Sequence, residues 1–164
     1  KLPDAWNITT GSRNVVVAIL DSGVDLQHPD LKANIVNGYD FVNNDATPMD
    51  DDGHGTAVAG VVGAVTNNGV GVAGVAWHVK LMPVKVLNRD GVGATDGIIR
   101  GLNWAVAHGA RVINMSLGGA SRSQAFQDAI NNAYRHGTTI VAAAGNDYQR
   151  GNPVFYPAAY DHVI

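Results

Sequence analysis

Val15-Val16-Val17-Ala18-Ile19-Leu20 runs without interruption into Asp21-Ser22-Gly23. An apolar run rich in β-branched residues, with no polar residue alternating through it, suits a strand covered on both faces. Strands of that kind belong to parallel sheets flanked by helices rather than to sheets with one wet face. The acid and the glycine that follow mark the strand's end. The fold class then depends on whether the rest of the chain supplies more strands and the helices to cover them.

It does both. Ile35 to Phe41 is a second, weaker strand candidate. Val79 to Leu87 reads as another strand, in which Pro83 points to an edge or a bulge. Ala94 to His108 carries Ile98, Leu102, Ala105 and Val106 at helical spacing and ends before Gly109. Val112 to Leu117 is a strand, Ser123 to His136 a helix, and Thr139 to Ala144 a strand. Phe126, Ile130, Ala133 and Tyr134 lie on one side of that helix, which ends before Gly137. Helices between strands imply right-handed crossovers. The expected fold is therefore α/β: a doubly wound, mostly parallel sheet with helices on both faces. Residues 1–164 read as one domain without repeat, low-complexity segment or linker. Val163-Ile164 resembles the start of a further strand, so the domain is expected to be partial, incomplete at its C-terminus.

Bulk properties agree. A chain of 164 residues with 46% hydrophobic and 15% charged residues and 20 glycines suits a compact domain with tight turns. The formal net charge is -3 and no basic run occurs, which argues against nucleic acid as a partner. No apolar stretch reaches membrane-spanning length, and no signal peptide is visible, so no membrane partner is expected. The first residue is Lys1, not Met, as in a processed chain. Cysteine is absent, which excludes disulfides and Cys-ligated metals.

The second informative stretch is Asp50-Asp51-Asp52-Gly53-His54-Gly55-Thr56-Ala57-Val58-Ala59-Gly60. Glycines on both sides leave the imidazole accessible. A helix is expected from His54 to about Thr66, with Ala57, Ala59, Gly60, Gly63 and Ala64 as a small-residue packing face. At a helix N-terminus the macrodipole disfavours an imidazolium, so His54 is expected to rest neutral, as a general base requires. In a doubly wound sheet the chemistry gathers at the strands' carboxyl ends. Asp21, the segment from Asn114 to Gly119, and Gly145-Asn146 all follow strands. Singly, Asp21 and Asn146 read as turn residues and His54 as a surface histidine in a Gly-rich turn. Their coincidence at strand ends favours a site in which a carboxylate fixes the tautomer of His54.

Val17-Ala18-Ile19-Leu20-Asp21-Ser22-Gly23-Val24-Asp25, His28-Pro29-Asp30-Leu31, Gly53-His54-Gly55-Thr56, Asn114-Met115-Ser116-Leu117-Gly118-Gly119 and Ala142-Ala143-Ala144-Gly145-Asn146 together resemble the subtilisin family of serine peptidases. The motifs occur in family order and cover nearly the whole chain. The resemblance implies a serine-type endopeptidase that hydrolyses peptide bonds in polypeptide substrates with an Asp-His-Ser triad. Asp21 would be the orienting acid, His54 the general base and Asn146 the oxyanion donor. Ser116, Leu117 and Gly118 would pair with the substrate on one edge, and Gly91, Val92 and Gly93 on the other, adding the substrate as a β-strand. Without the resemblance, Gly91 and Gly93 read as a surface turn. Ala143, Ala144 and Gly145 would form one wall of the first specificity pocket, with room for a large apolar or aromatic side chain.

The resemblance also implies structural calcium. Asp30, Asn68 and the carbonyls of Thr66, Val70 and Val72 would hold one ion, and Asp40, Asp45 and Thr47 a second, weaker one. The plain reading of these acids is a set of solvated turns. By the same resemblance the protein would be secreted. Three departures stand out. The family's Gly-Thr-Ser-Met-Ala-like nucleophile motif is missing, and the serines at 12, 22, 116, 121 and 123 have other assignments. Residues 1–164 alone are thus expected to be inactive and to need the C-terminal remainder of the domain. Ala57 stands where the family usually has histidine. The N-terminus is shorter than in close relatives, which bears on one expected ligand of the first calcium site. The alternative is a non-catalytic fragment or pseudoenzyme of the same fold that binds peptides. A nucleotide-binding domain is disfavoured, because no G-x-G-x-x-G follows the first strand.

Overall fold

The computed structural model describes all of residues 1–164. A short helix α1 (Leu2–Trp6) precedes strand β1 (Val16–Asp21), strand β2 (Tyr39–Asp40), helix α2 (His54–Gly63) and strand β3 (Lys80–Lys85). Helix α3 (Thr95–Ala107), strand β4 (Val112–Met115), helix α4 (Gln124–Arg135), strand β5 (Thr139–Ala142) and a 3-10 turn at Tyr148–Arg150 complete the chain. The five strands form one parallel sheet in the order β2-β3-β1-β4-β5.

β1 lies at the centre, and its side chains divide the core. Val17 and Ile19 join Ala59, Ala64, Val79 and Leu81 beneath α2. Ala18 and Leu20 turn to the opposite face, where α3 contributes Ile98, Leu102 and Ala105 and α4 contributes Phe126, Ile130 and Ala133. Alternation along a pleated strand sends successive residues to opposite faces, so a strand covered on both sides has to be apolar throughout. The doubly wound architecture expected from β1 is the one observed.

Several local expectations need correction. Strands end two residues early at Met115 and Ala142, because the chain leaves the ladder there to build the rim. The stretch from Ile35 to Phe41 is not one strand. It touches β3 through a single bridge at Ile35–Leu81 and then through β2. Pro83 sits inside the sheet, not at its edge, since β3 lies between β2 and β1. Leu81 N–H donates to Asn34 C=O, so two residues on, the Pro83 nitrogen faces the same side, into the gap between the Ile35 bridge and β2. No ladder donor is needed there. Gly38 lies over that gap. A methyl group on it would stand 1.9 Å from the Pro83 carbonyl oxygen, so only glycine lets the two backbones approach. Helix α2 stops at Gly63, and Ala57 faces outward, leaving Gly55, Ala59, Gly60 and Gly63 as the buried face. Tyr134 is also exposed; it stacks on His162 at 3.9 Å instead of joining the core. α1 was not legible in the sequence.

Candidate functional site

The strand order reverses between β1 and β4, and the crevice at their carboxyl ends is where this topology leaves room for a ligand. Asp21 ends β1 there and is fully buried. Ser22 follows it, and the N-terminus of α2 points at the same place.

The first turn of α2 has no capping side chain of its own, because its N-cap is Gly53. Residues outside the helix take over the exposed donors. His54 N–H donates to Asp52 Oδ2 at 3.2 Å, Gly55 N–H to Ser22 Oγ at 2.9 Å, and Thr56 N–H to Asp50 Oδ2 at 2.9 Å. The Ser22 hydroxyl donates in turn to Asp50 Oδ1 at 2.8 Å, and Thr56 Oγ1 donates to Asp50 Oδ2. Burial of Asp50 works against its ionisation. The bonds from the Thr56 hydroxyl, from the Gly53 and Thr56 amides and from Ser22 outweigh that and pull its carboxyl down to about 2. Asp50, a helix cap supplied across the loop, was not singled out in the sequence. Its offset of six residues from Thr56 matches no capping box, and only the sheet brings Ser22 alongside.

His54 Nδ1 lies 2.8 Å from Asp21 Oδ1. An ionised carboxylate only accepts, so Nδ1 carries the proton and Nε2 is the free, basic nitrogen. The same Asp21 oxygen accepts the Ser22 N–H at 2.8 Å, while Asp21 Oδ2 is buried without a partner. Half of the His54 side chain is exposed. Its pKa is raised above 6.5. The hydrogen bond to Asp21 is the main cause, opposed by partial burial and reinforced by the charges of Asp21, Asp52 and Asp50. The lowering expected from the helix dipole is thereby corrected in direction: the contact with a carboxylate outweighs the helix end. Beneath the pair, buried Lys85 donates from Nζ to Ser22 C=O at 2.6 Å and pairs with the Asp51 carboxylate. It straps the end of β1 to the loop that carries His54.

His54 and Asp52 border a cleft of about 550 Å³. Gly91, Val92 and Gly93 line it together with Ser116, Leu117, Gly118 and Gly119. Leu87, Ile98, Phe126 and Tyr156 add apolar and aromatic surface that sequence reading did not assign to the site. Helical or strand periodicity marked the first three only as core. Ser116 and Ser121 also line the cleft, yet neither is hydrogen-bonded to His54, and Ser116 Oγ accepts from Asn114 Nδ2 at 3.0 Å. Asn146 is not on this lining; it is exposed and borders a separate hollow with Asp147 to Arg150. Ala143, Ala144 and Gly145 are exposed as well and are not on this lining; the Phe155 ring lies against Gly145.

Asp30 is 1% exposed and has no cationic partner. Its Oδ1 accepts Asn68 Nδ2 at 2.7 Å and its Oδ2 the Val72 N–H at 2.9 Å, so the loop from Thr66 to Val72 is wrapped around it. Asn68 Oδ1 accepts the Val70 N–H at 3.1 Å, so the loop's own donors meet both carboxylate oxygens and the Asn68 amide oxygen. The Asp40 carboxylate accepts the Val42 and Asn43 N–H groups and the Asn43 amide, and Asp45 Oδ1 accepts the Thr47 N–H. That loop satisfies its own acids within the turn.

A family model described as the Subtilase family matches residues 12–164. Thermitase of Thermoactinomyces vulgaris is 44% identical over 163 residues, which is 99% of this chain and 57% of that protein. The thermophilic serine proteinase of Bacillus sp. (strain AK1) is 43% identical over 98% of this chain and 39% of its own length. Subtilisin DY of Bacillus licheniformis is 48% identical over 92% of this chain and 55% of its own length. The chain thus spans about half the length of the curated relatives it matches.

Proposed function

The chain belongs to the subtilase family, and from that membership we propose that its site serves serine-type hydrolysis of peptide bonds in polypeptide substrates. The observation that carries this reading is the buried Asp21 carboxylate bonded to Nδ1 of a half-exposed His54 that borders a cleft. A serine hydroxyl within reach of Nε2 would give it a proton while its oxygen bonds to the scissile carbonyl carbon. Asp21 stabilises the imidazolium so formed. The proton then passes to the leaving amine, and water releases the acyl group by the same path. The substrate would lie as an extended strand between Gly91–Gly93 and Ser116–Gly118. Asn146 is the proposed oxyanion donor, a role that requires its side chain to turn from the hollow at 146–150 toward the cleft.

None of the five serines in residues 1–164 is hydrogen-bonded to His54, and we assign the nucleophile to a serine outside them. In the full-length protein, a serine-directed phosphonate should label such a serine and abolish turnover of a chromogenic peptide, while residues 1–164 alone should turn over none. Labelling of Ser22, Ser116 or another serine of this stretch would overturn the assignment. Peptide binding by the full-length protein without turnover would favour the non-catalytic module instead.

Calcium is proposed as a structural ion at Asp30, Asn68 and the carbonyls of Thr66, Val70 and Val72, which would bind it and tie the loop to Asp30. Asp40, Asp45 and Thr47 form the second, weaker candidate. Sites of this kind suit a protein working outside the cell, where calcium is abundant, and we place it there.

A further inference from the structure

The sheet leaves a gap between two rim segments. β4 and β5 run in register to the Met115–Ala142 pair, and Ala143 N–H still donates to Met115 C=O. Beyond that point Ser116–Gly118 and Ala143–Gly145 are no longer joined by backbone hydrogen bonds. In the peptidase reading this gap receives the side chain before the cut, and its small residues suggest a roomy pocket. The gap is occupied, however. A methyl group built on Gly118 would lie 3.0 Å from Phe155 Cδ1, and one built on Gly145 would lie 3.2 Å from Cγ and 3.3 Å from Cδ2 of the same ring. The side-chain directions of the two glycines therefore converge on one aromatic ring, seated between the segments.

The ring is held there by backbone. Tyr156 N–H donates to Gly119 C=O at 2.8 Å, and Gly119 N–H donates back to Tyr156 C=O at 2.9 Å. Phe155 C=O accepts the Ala159 N–H at 2.9 Å. The residue is half-buried, and the absence of side chains at Gly118 and Gly145 is what lets it fit.

We propose that Phe155 is a specificity-determining residue that fills the pocket between Ser116–Gly118 and Ala143–Gly145 and limits the substrate residue before the cut to a small side chain. The inference rests on the peptidase reading and reverses the preference that the Ala143-Ala144-Gly145 wall suggests by itself. A substrate strand pairing along 116–118 presents alternate side chains to the rim. A phenylalanine or leucine there would need the volume that the Phe155 ring holds, and close-packed atoms do not share it. Alanine, serine or glycine needs none of it.

The test is a peptide-library digest by the full-length protein, wild type and Phe155→Gly, with kcat/KM measured on matched substrates carrying alanine or phenylalanine before the cut. Wild type should favour alanine by about tenfold or more, and Phe155→Gly should raise kcat/KM on the phenylalanine substrate by about a hundredfold with little change on alanine. Should that variant fold poorly, inactivation of the wild type by alanyl and phenylalanyl phosphonates gives the same comparison, the alanyl reagent being expected to react faster. Wild-type cleavage after phenylalanine or leucine as readily as after alanine, or faster reaction of the phenylalanyl phosphonate, would overturn the role of Phe155 and leave the peptidase reading standing. No cleavage of any peptide and no labelling would overturn both.

Discussion

At His54 two local fields oppose each other. The α2 N-terminus disfavours a positive ring by about 0.3–1 kcal/mol. The bond to a buried carboxylate favours it by about 1.5–3 kcal/mol, and the contact wins. The base form is neutral, so activity should rise with pH through a midpoint above 6.5. Asp21→Asn should move that midpoint back toward the ordinary histidine value and cost about 10⁴ in kcat. A kcat/KM profile against pH for both proteins checks this, and a wild-type midpoint below 6.5 would contradict it. The sign for stability is the reverse of that for activity. The Asp21–His54 contribution is fully present below 6.5 and is lost as pH rises through the raised pKa. Lys85 and Asp51 make a second residue-scale case, because only one of the partners is buried: 1% of the Lys85 side chain is exposed against 49% of Asp51. Asp51→Ala strands a buried cation and should cost about 3 kcal/mol. Lys85→Met removes the buried charge and leaves Asp51 to water, so it should cost less. Urea unfolding of the two variants measures the difference, and equal losses would count against the strap.

At the scale of elements, α2 depends on acceptors from outside itself. Asp50 takes hydrogen bonds from Ser22, Asp52, Gly53 and Thr56, and thereby holds the helix start against the strand end that bears Asp21. Asp50→Ala should destabilise the fold by about 1–2 kcal/mol, the cost of a lost cap. The depressed carboxyl contributes stability above its unfolded value of 3.8 and loses it as pH falls through about 2. The gap in unfolding free energy between wild type and variant should therefore close in that window, and a gap constant from pH 5 to pH 2 would refute the assignment. The β2–β3 junction depends on close approach. Gly38→Ala should push β2 away from Pro83 and cost about 1–3 kcal/mol, readable as a lower melting temperature. An unchanged melting temperature would mean that the junction gives way freely.

Across the whole molecule, one side of the sheet carries α3 and α4 and the other carries α2 alone. The loop after α2 is tied to two remote parts of the chain. It wraps Asp30, and its continuation receives the N-terminal segment, where Trp6 Nε1 donates to Val75 C=O at 2.9 Å and packs on Trp77 at 4.7 Å. An ion bound to this loop would stabilise three stretches together, by an amount that grows with the logarithm of free calcium. Calorimetry of the full-length protein with calcium and with chelator should show a lower unfolding temperature without the ion. Asp30→Asn should remove most of that dependence. An unchanged unfolding temperature on chelation would count against both proposed sites.

The sequence by itself determined the architecture, because an apolar run such as Val15–Leu20 can be buried only between two layers, and the helices between strands supply them. It also determined which groups stand at a strand end and at a helix start, so Asp21 and His54 were legible before any contact was known. What tertiary structure decided are contacts between residues far apart in the chain. Pro83 is tolerated inside the sheet because its nitrogen faces the gap in the ladder, and Gly38 lets the backbones approach at its carbonyl. Asp50 ties the helix start to the strand end only because the fold brings Ser22 beside it. His54 is raised and not lowered because a carboxylate 33 positions away lies 2.8 Å from its ring. The pocket that small residues promised is taken by Phe155, ten positions beyond Gly145. Periodicity and propensity act over one or two turns of chain. Which side chain fills a given space depends on how the strands are ordered, and no local pattern encodes that.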